Sequence, residues 1–193
     1  MTMEANGVAN GPGVVTLEPQ DRVRAVDAVK AALAIARDDH DALLAALAET
    51  ALGLAEQFLG QMLIARTVTV ALPVQSGWQR MGLAPVTAIT AVMGVNADGV
   101  ATPLAALGYE IDLVRGEGWL RLRDAGGAVR VTAEVTAGLA TDWDAIPPAI
   151  RQGAVMLAAY LFSERDPTRP PPGAITALWR PYRSFTLTGS IHS

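Results

Sequence analysis

The spacing of apolar residues changes twice along this chain, and these changes limit the fold more than any other feature. Over residues 41–59 apolar side chains recur every third or fourth position, which predicts a helix packed on one face and ended by Gly60. From Thr67 apolar and polar residues alternate, as in half-buried strands. Helical spacing returns over residues 146–163. The sequence therefore predicts an α+β protein, mainly α, in which a β region interrupts the helices.

Turn signals divide the alternating segment, which covers about residues 64–138. They lie at residues 96–99, at 116–118 and at 126–127, where glycine supplies the positive φ that tight turns need. Five or six short strands fit between these turns. The segment is predicted to be an antiparallel β-hairpin or β-sheet region inserted into a helical bundle.

Two further helices and the two chain ends complete the predicted organisation. A helix is expected over residues 20–36 and a short one over residues 174–179. We expect a flexible N-terminus over residues 1–18 and a helical body with the β insertion over 19–165. Residues 166–193 are expected to form a proline linker and an extended C-terminal arm.

Composition excludes several classes of function. With 51% hydrophobic and 18% charged residues the chain can bury a core, unlike disordered proteins. The absence of cysteine excludes disulfides, thiolate metal sites and thiol nucleophiles. A net charge of −4 argues against gripping nucleic acid phosphates but suits a surface that DNA slides past. No apolar run approaches the roughly 20 residues that span a bilayer, and residues 1–14 lack the pattern of a secretion signal, so we expect a cytosolic origin and no membrane.

Candidate chemistry is sparse. The acidic cluster at residues 38–41, Asp-Asp-His-Asp, offers carboxylates for a hard cation but lacks the alternating ligands and glycine of a calcium loop. The favoured interpretation is an interhelix loop whose acids lie at a helix N-terminus. The two histidines, His40 and His192, are poorly placed for a catalytic triad, and the glycines at 116–118 and 126–127 fit hairpin turns. We predict no catalytic residue, no cofactor, no metal and no enzymatic activity.

The C-terminal arm combines aromatic residues with arginines, the residue types enriched at the centres of protein interfaces. The candidate interface residues are Leu178, Trp179, Arg180, Pro181, Tyr182, Arg183, Phe185 and Leu187. The proline linker favours an arm that leaves the body and contacts a partner, and an extended arm could also add a strand to a neighbour's sheet. In the alternative interpretation, Trp179 and Tyr182 fold back onto the core of their own chain.

Seven short motifs, in this order, resemble a known family. They are residues 38–44 (DDHDALL), 55–61 (AEQFLGQ), 83–89 (LAPVTAI), 96–99 (NADG), 129–138 (VRVTAEVTAG), 146–151 (IPPAIR) and 178–183 (LWRPYR). With the two N-terminal helices, they are similar to the head–tail connector, or adaptor, proteins of long-tailed phages, prophages and gene transfer agents, and the resemblance covers about residues 19–187.

The resemblance implies a structural role in a phage-like particle. It implies a ring of identical subunits, a dodecamer to match the portal, around a channel that DNA traverses. The arm is implied to bind the portal, and the β region to meet the next ring, the stopper. The protein would then lie in the neck between head and tail, and in the host cytoplasm during assembly. Another connector ring, such as a stopper or tail terminator, is the first alternative, and a small-molecule-binding α+β domain is a less favoured one.

Overall fold

The computed structural model describes residues 8–9, 11–164 and 169–183. Helices make up 37% and strands 27% of it, so the α+β class is confirmed, whereas the expected mainly helical bundle is not. The helices are α1 (Pro19–Leu33), α2 (Asp41–Leu59), α3 (Pro148–Ser163) and α4 (Gly173–Trp179). The strands are β1 (Val8–Ala9), β2 (Arg66–Pro73), β3 (Trp78–Arg80), β4 (Val86–Val95), β5 (Ala101–Pro103), β6 (Tyr109–Val114), β7 (Glu117–Leu122) and β8 (Arg130–Ala137).

The described residues form two compact units. The β unit contains strand β1 and residues 65–138, and the helical unit contains residues 12–64, 139–164 and 169–183. The chain leaves the helical unit after Ile64 and returns at Leu139, so the β unit is an insertion. At this point the backbone N–H of Leu139 bonds to Met62 O and that of Ala140 to Leu63 O, and Ile64 and Ala140 form a parallel bridge.

In the helical unit α1, α2 and α3 pack against one another, and α4 packs on α3. Helix α2 begins and ends where its apolar spacing predicts, with Gly60 in the left-handed conformation after its last residue. Helix α1 ends at Leu33, three residues earlier than predicted, because Ala34 takes the left-handed conformation and its N–H bonds back to Ala31 O. No glycine marks that end in the sequence.

The apolar stripe of α2 lies at the centre of the helical core. Leu44, Leu52 and Leu59 are fully buried among residues of α1 and α3. Among the described residues, α2 alone is long and apolar enough, by length and composition, to cross a membrane, and about half of it is buried. Such burial is typical of a core helix in a folded domain.

The β unit contains two antiparallel sheets. The larger has the strand order β1-β2-β8-β4-β5 and the smaller β3-β7-β6. Burial alternates along β2 and β8, as their sequence pattern predicts. The predicted turn at residues 116–118 begins one residue early, since Arg115 and Gly116 both take positive φ between β6 and β7. Strands β1, β3 and β5 are two or three residues long, too short for alternation to reveal them.

Candidate interaction site

Trp179, at the end of α4, is buried in the core of its own helical unit. Its indole Nε1 donates a hydrogen bond to Ile150 O in α3, at 3.1 Å. The ring fits there because residue 153 is glycine: a Cβ at Gly153 would lie 2.3 Å from Trp179 Nε1. Gly153 therefore forms a notch in α3 for one aromatic side chain.

The residues after Trp179 contact the C-terminal end of α2. The Phe58 ring lies 5.8 Å from that of Trp179, and the Arg183 guanidinium lies 5.5 Å from the Phe58 centroid, a cation–π arrangement. The Gln61 side-chain amide donates to Tyr182 O at 2.9 Å. We call the arrangement of Trp179, Gly153, Phe58, Gln61 and Arg183 the latch, since it holds residues 179–183 on the helical unit.

The proline linker is also attached to the helical unit. The Tyr160 hydroxyl of α3 lies within hydrogen-bonding distance of two linker carbonyls, Arg169 O at 3.1 Å and Pro170 O at 3.2 Å. Arg169 pairs with Glu164 at 3.0 Å. The prolines therefore position α4 on the body of the molecule.

The predicted interface residues divide into three groups. Trp179 is buried and Leu178 is partly buried against the helical core. For Trp179 this agrees with the alternative interpretation, in which its side chain folds back onto the core of its own chain. Arg180, Pro181, Tyr182 and Arg183 are exposed, Tyr182 by 38%. Phe185 and Leu187 lie outside the described residues. Portal binding by the arm stays a prediction.

The acidic cluster at residues 38–41 is organised by a lysine. Lys30 Nζ lies 2.5 Å from Asp38 Oδ1 and 2.9 Å from Asp41 Oδ1, and His40 packs edge-on against Phe162. The hydrogen bond from Lys30 lowers the pKa of Asp38, and those to Asp38 and Asp41 raise the pKa of Lys30. A cation of the chain itself occupies the position between the carboxylates, and no cluster of metal-ligating side chains occurs in the described ranges.

Acidic side chains on the smaller sheet pair with arginines across the strands. Glu110 of β6 accepts hydrogen bonds from Arg121 and Arg123, and the bond from Arg123 contributes most to lowering the pKa of Glu110. Arg121 also lies 5.3 Å from the Trp78 ring centroid. These pairs form a partly exposed charge ladder on the smaller sheet.

Two glutamates of α2 hold a segment that sequence reasoning missed. Residues 12–17, the strap, cross α2 where residue 53 is glycine, since a Cβ there would lie 2.5 Å from Gly13 O. Glu56 is fully buried and accepts from the N–H of Gly13 at 3.0 Å and of Leu63 at 2.8 Å. Two turns earlier, Glu49 accepts from Leu17 N at 3.0 Å.

Comparison with solved structures assigns the fold. A chain of the neck of an empty gene transfer agent (GTA) particle, computed with C6 symmetry, superposes with a TM-score of 0.73 at 24% identity, covering 95% of this chain and 98% of that one. A chain of the native GTA virion gives 0.68 and 27%, covering 98% and 99%. A chain of the native GTA neck, computed with C12 symmetry, gives 0.64 and 28%, covering 91% and 96%. The chain has the fold of gene transfer agent neck and virion proteins.

This similarity extends over nearly the whole length of both chains. The resemblance to connector proteins of phage-like particles is thereby confirmed at the level of structure. No family model matches the sequence, and no curated protein matches it. Structure carries the relationship that the sequence shows only as short motifs.

Proposed function

We propose that this chain is a structural subunit of the neck of a phage-like particle, where it acts as the adaptor between portal and tail. The observation that carries the proposal is the match to neck and virion chains over 91–98% of this chain. A role as a structural part rather than an enzyme also agrees with the described site, which holds packing contacts and paired charges.

We propose that copies of the chain form a closed ring. Neck chains with this fold come from reconstructions with C6 and C12 symmetry, and a dodecamer satisfies both. A ring of identical subunits requires a head-to-tail contact between two different surfaces of the same chain. DNA would pass through the channel, and a net charge of −4 would let it pass without gripping phosphates.

We propose that the arm binds the portal from a fixed starting point. The latch holds Trp179 inside the subunit, so the docking surface begins at Arg180 and includes the exposed Tyr182 and Arg183. Phe185 and Leu187 would continue it. Because the start of the arm is already ordered, binding would cost less conformational entropy than the ordering of a free tail. In this proposal the β unit contacts the next ring, the stopper.

Complementation of a gene deletion in the producing cell tests the proposal. Without the protein, heads should accumulate without tails, and the wild-type gene should restore joined particles that deliver DNA. The double variant Arg180→Ala/Tyr182→Ala should fail to restore joining, since each interface hot spot contributes about 2 kcal/mol or more, which is a factor of about 30 in affinity.

The matched control is Arg37→Ala/Leu43→Ala, which removes an exposed arginine and an exposed apolar side chain elsewhere in the helical unit. It should restore joining fully. Joined particles in the deletion strain would refute the neck function, and normal joining by the arm variant would refute the arm's role alone. A map of the particle that places the chain below another ring rather than on the portal would favour the stopper or terminator alternative.

A further inference from the structure

An apolar groove of about 420 Å3 opens on the surface between α1 and α2. Its floor is formed by the buried Val26 and Ala45, and its walls by Val23, Ala42 and Ala46, which are exposed. Val23 is 60% exposed although it lies in the middle of α1. Small side chains on α2 leave room for an apolar group from outside the subunit.

The rim of this groove is acidic. Asp27, Asp41 and Glu49 line it with one arginine, Arg22, and since Lys30 pairs with Asp41 the formal charge of the rim is −1. Arg22 is bound to Glu49 at 2.8 Å. Within the described part of the chain, Asp27 forms no salt bridge or hydrogen bond and faces solvent. The groove therefore suits an apolar segment that carries a positive charge.

The same chain displays such a segment in the proline linker. Residues 169–172, Arg-Pro-Pro-Pro, are all exposed. The bonds to the Tyr160 hydroxyl hold the segment against α3, and successive prolines stiffen it further. Arg169 keeps 70% of its side chain exposed while it pairs with Glu164. From residue 169 to 183 the chain has three arginines and no acid.

Groove and linker lie at the same height along the helices. The rings of His40, just before α2, and Phe162, near the end of α3, are 5.4 Å apart, so the start of α2 is level with the end of α3. The groove is lined by residues 41–49 of α2, and the linker follows α3. Rotation about an axis parallel to the helices preserves height, so it can bring the linker of one copy to the groove of the next.

We propose that the α1–α2 groove receives residues 169–172 of the neighbouring copy and that this is the head-to-tail contact of the ring. The prolines fill the space between Val23, Ala42 and Ala46, and Arg169 lies beside Asp27. The contact leaves the arm beyond Trp179 available to the portal. This inference rests on the ring proposed above and specifies which two surfaces close it.

The chain lacks cysteine, so engineered disulfides report this contact directly. The test uses particles that carry Ala46→Cys together with Pro171→Cys, oxidised and separated without reducing agent. Both positions are exposed, so neither change should disturb the fold. The double variant should give a ladder of species larger than dimers, whereas either single variant should give none, since each copy then has one half of the pair.

Charge reversal provides a second measurement. Asp27→Arg should reduce the fraction of copies recovered in rings, and Arg169→Asp in the same chain should restore it. Rings visible in particle images without a ladder, or a charge reversal without effect, would overturn the groove contact and leave the ring intact. Images that show no ring of this chain would overturn the proposed function, and the groove contact with it.

Discussion

Two segments pack against the long helices of the helical unit, and they are held there by different contacts. The strap at residues 12–17 is held by backbone N–H groups that donate to Glu49 and Glu56, and by the buried side chains of Val15 and Leu17. The C-terminal segment is held through one side chain, Trp179, in a notch made by Gly153. The polar contacts of the strap depend on the two glutamates and on Gly13, whose φ is positive and where a Cβ would lie 2.4 Å from Gln57 Nε2, whereas the aromatic contact depends on the shape of both partners.

The largest effect should come from Trp179→Ala. Removing a buried indole leaves a cavity and removes its hydrogen bond to Ile150 O, and we expect the unfolding free energy to fall by about 3–5 kcal/mol. Chemical denaturation of the purified chain measures it. Tyr182→Ala, three residues later and 38% exposed, is the control and should cost far less. Similar losses for both would show that the latch does not rest on Trp179.

The hydrogen bonds that Glu56 accepts are tested by Glu56→Gln. In the wild type the backbone N–H groups of Gly13 and Leu63 each donate to a different carboxylate oxygen of Glu56. A glutamine amide has only one acceptor oxygen, so one of the two N–H groups loses its partner. A buried donor left without an acceptor costs about 1–3 kcal/mol, which denaturation would detect. Glu49→Gln should cost less because Glu49 is nearer solvent. An unchanged stability of Glu56→Gln would mean that the hydrogen bonds accepted by Glu56 contribute little to the fold.

Gly153→Ala separates shape from helix propensity. Alanine ordinarily favours a helix over glycine by about 1 kcal/mol, but here the new Cβ meets the indole, and overpacking costs about 1–3 kcal/mol. We expect a net loss in the wild-type background and a net gain in the Trp179→Ala background. A double-mutant cycle by denaturation measures the difference. Equal effects in both backgrounds would exclude the notch.

The smallest effect should come from the ion pair between Lys30, whose side chain is 12% exposed, and the solvent-exposed Asp38. The pKa of Asp38 lies below its usual 3.8 because Lys30 donates a hydrogen bond to it. A carboxyl with a lowered pKa stabilises the fold above its ordinary pKa and loses that contribution as pH falls through the folded-state value. The melting temperature of Asp38→Asn should therefore be below that of the wild type at neutral pH. The difference between the two melting temperatures should disappear as the pH falls below the folded-state pKa of Asp38.

The neighbouring Asp39→Asn serves as the control for that titration, because Asp39 lies 4.0 Å from the exposed Arg37. It should leave the melting temperature close to the wild type throughout. A gap for Asp38→Asn that does not narrow in acid would assign its effect to something other than the ion pair.

The difference between these two kinds of contact also explains which parts of the structure the sequence predicts. Apolar spacing predicts α2 and α3 because buried helices impose a period on side chains. An isolated tryptophan after a proline run marks the C-terminal segment as a contact region, although spacing alone cannot tell a contact with its own chain from one with a partner. The strap leaves no such signal, since Glu56 acts on backbone groups that every residue has. The short strands β3 and β5 and the end of α1 were missed for a related reason: pairing across the sheet and the conformation of Ala34 determine them.

The bridge between Ile64 and Ala140 has a consequence for how such a chain can vary. The chain segment that enters the insertion and the one that returns from it lie side by side, roughly 5 Å apart as in neighbouring strands. Residues 65–138 are therefore connected to the helical unit through two adjacent, hydrogen-bonded segments. A short turn could connect these two segments in place of the whole insertion. Evolution could likewise exchange the insert for one of another size while the groove and latch stay unaltered.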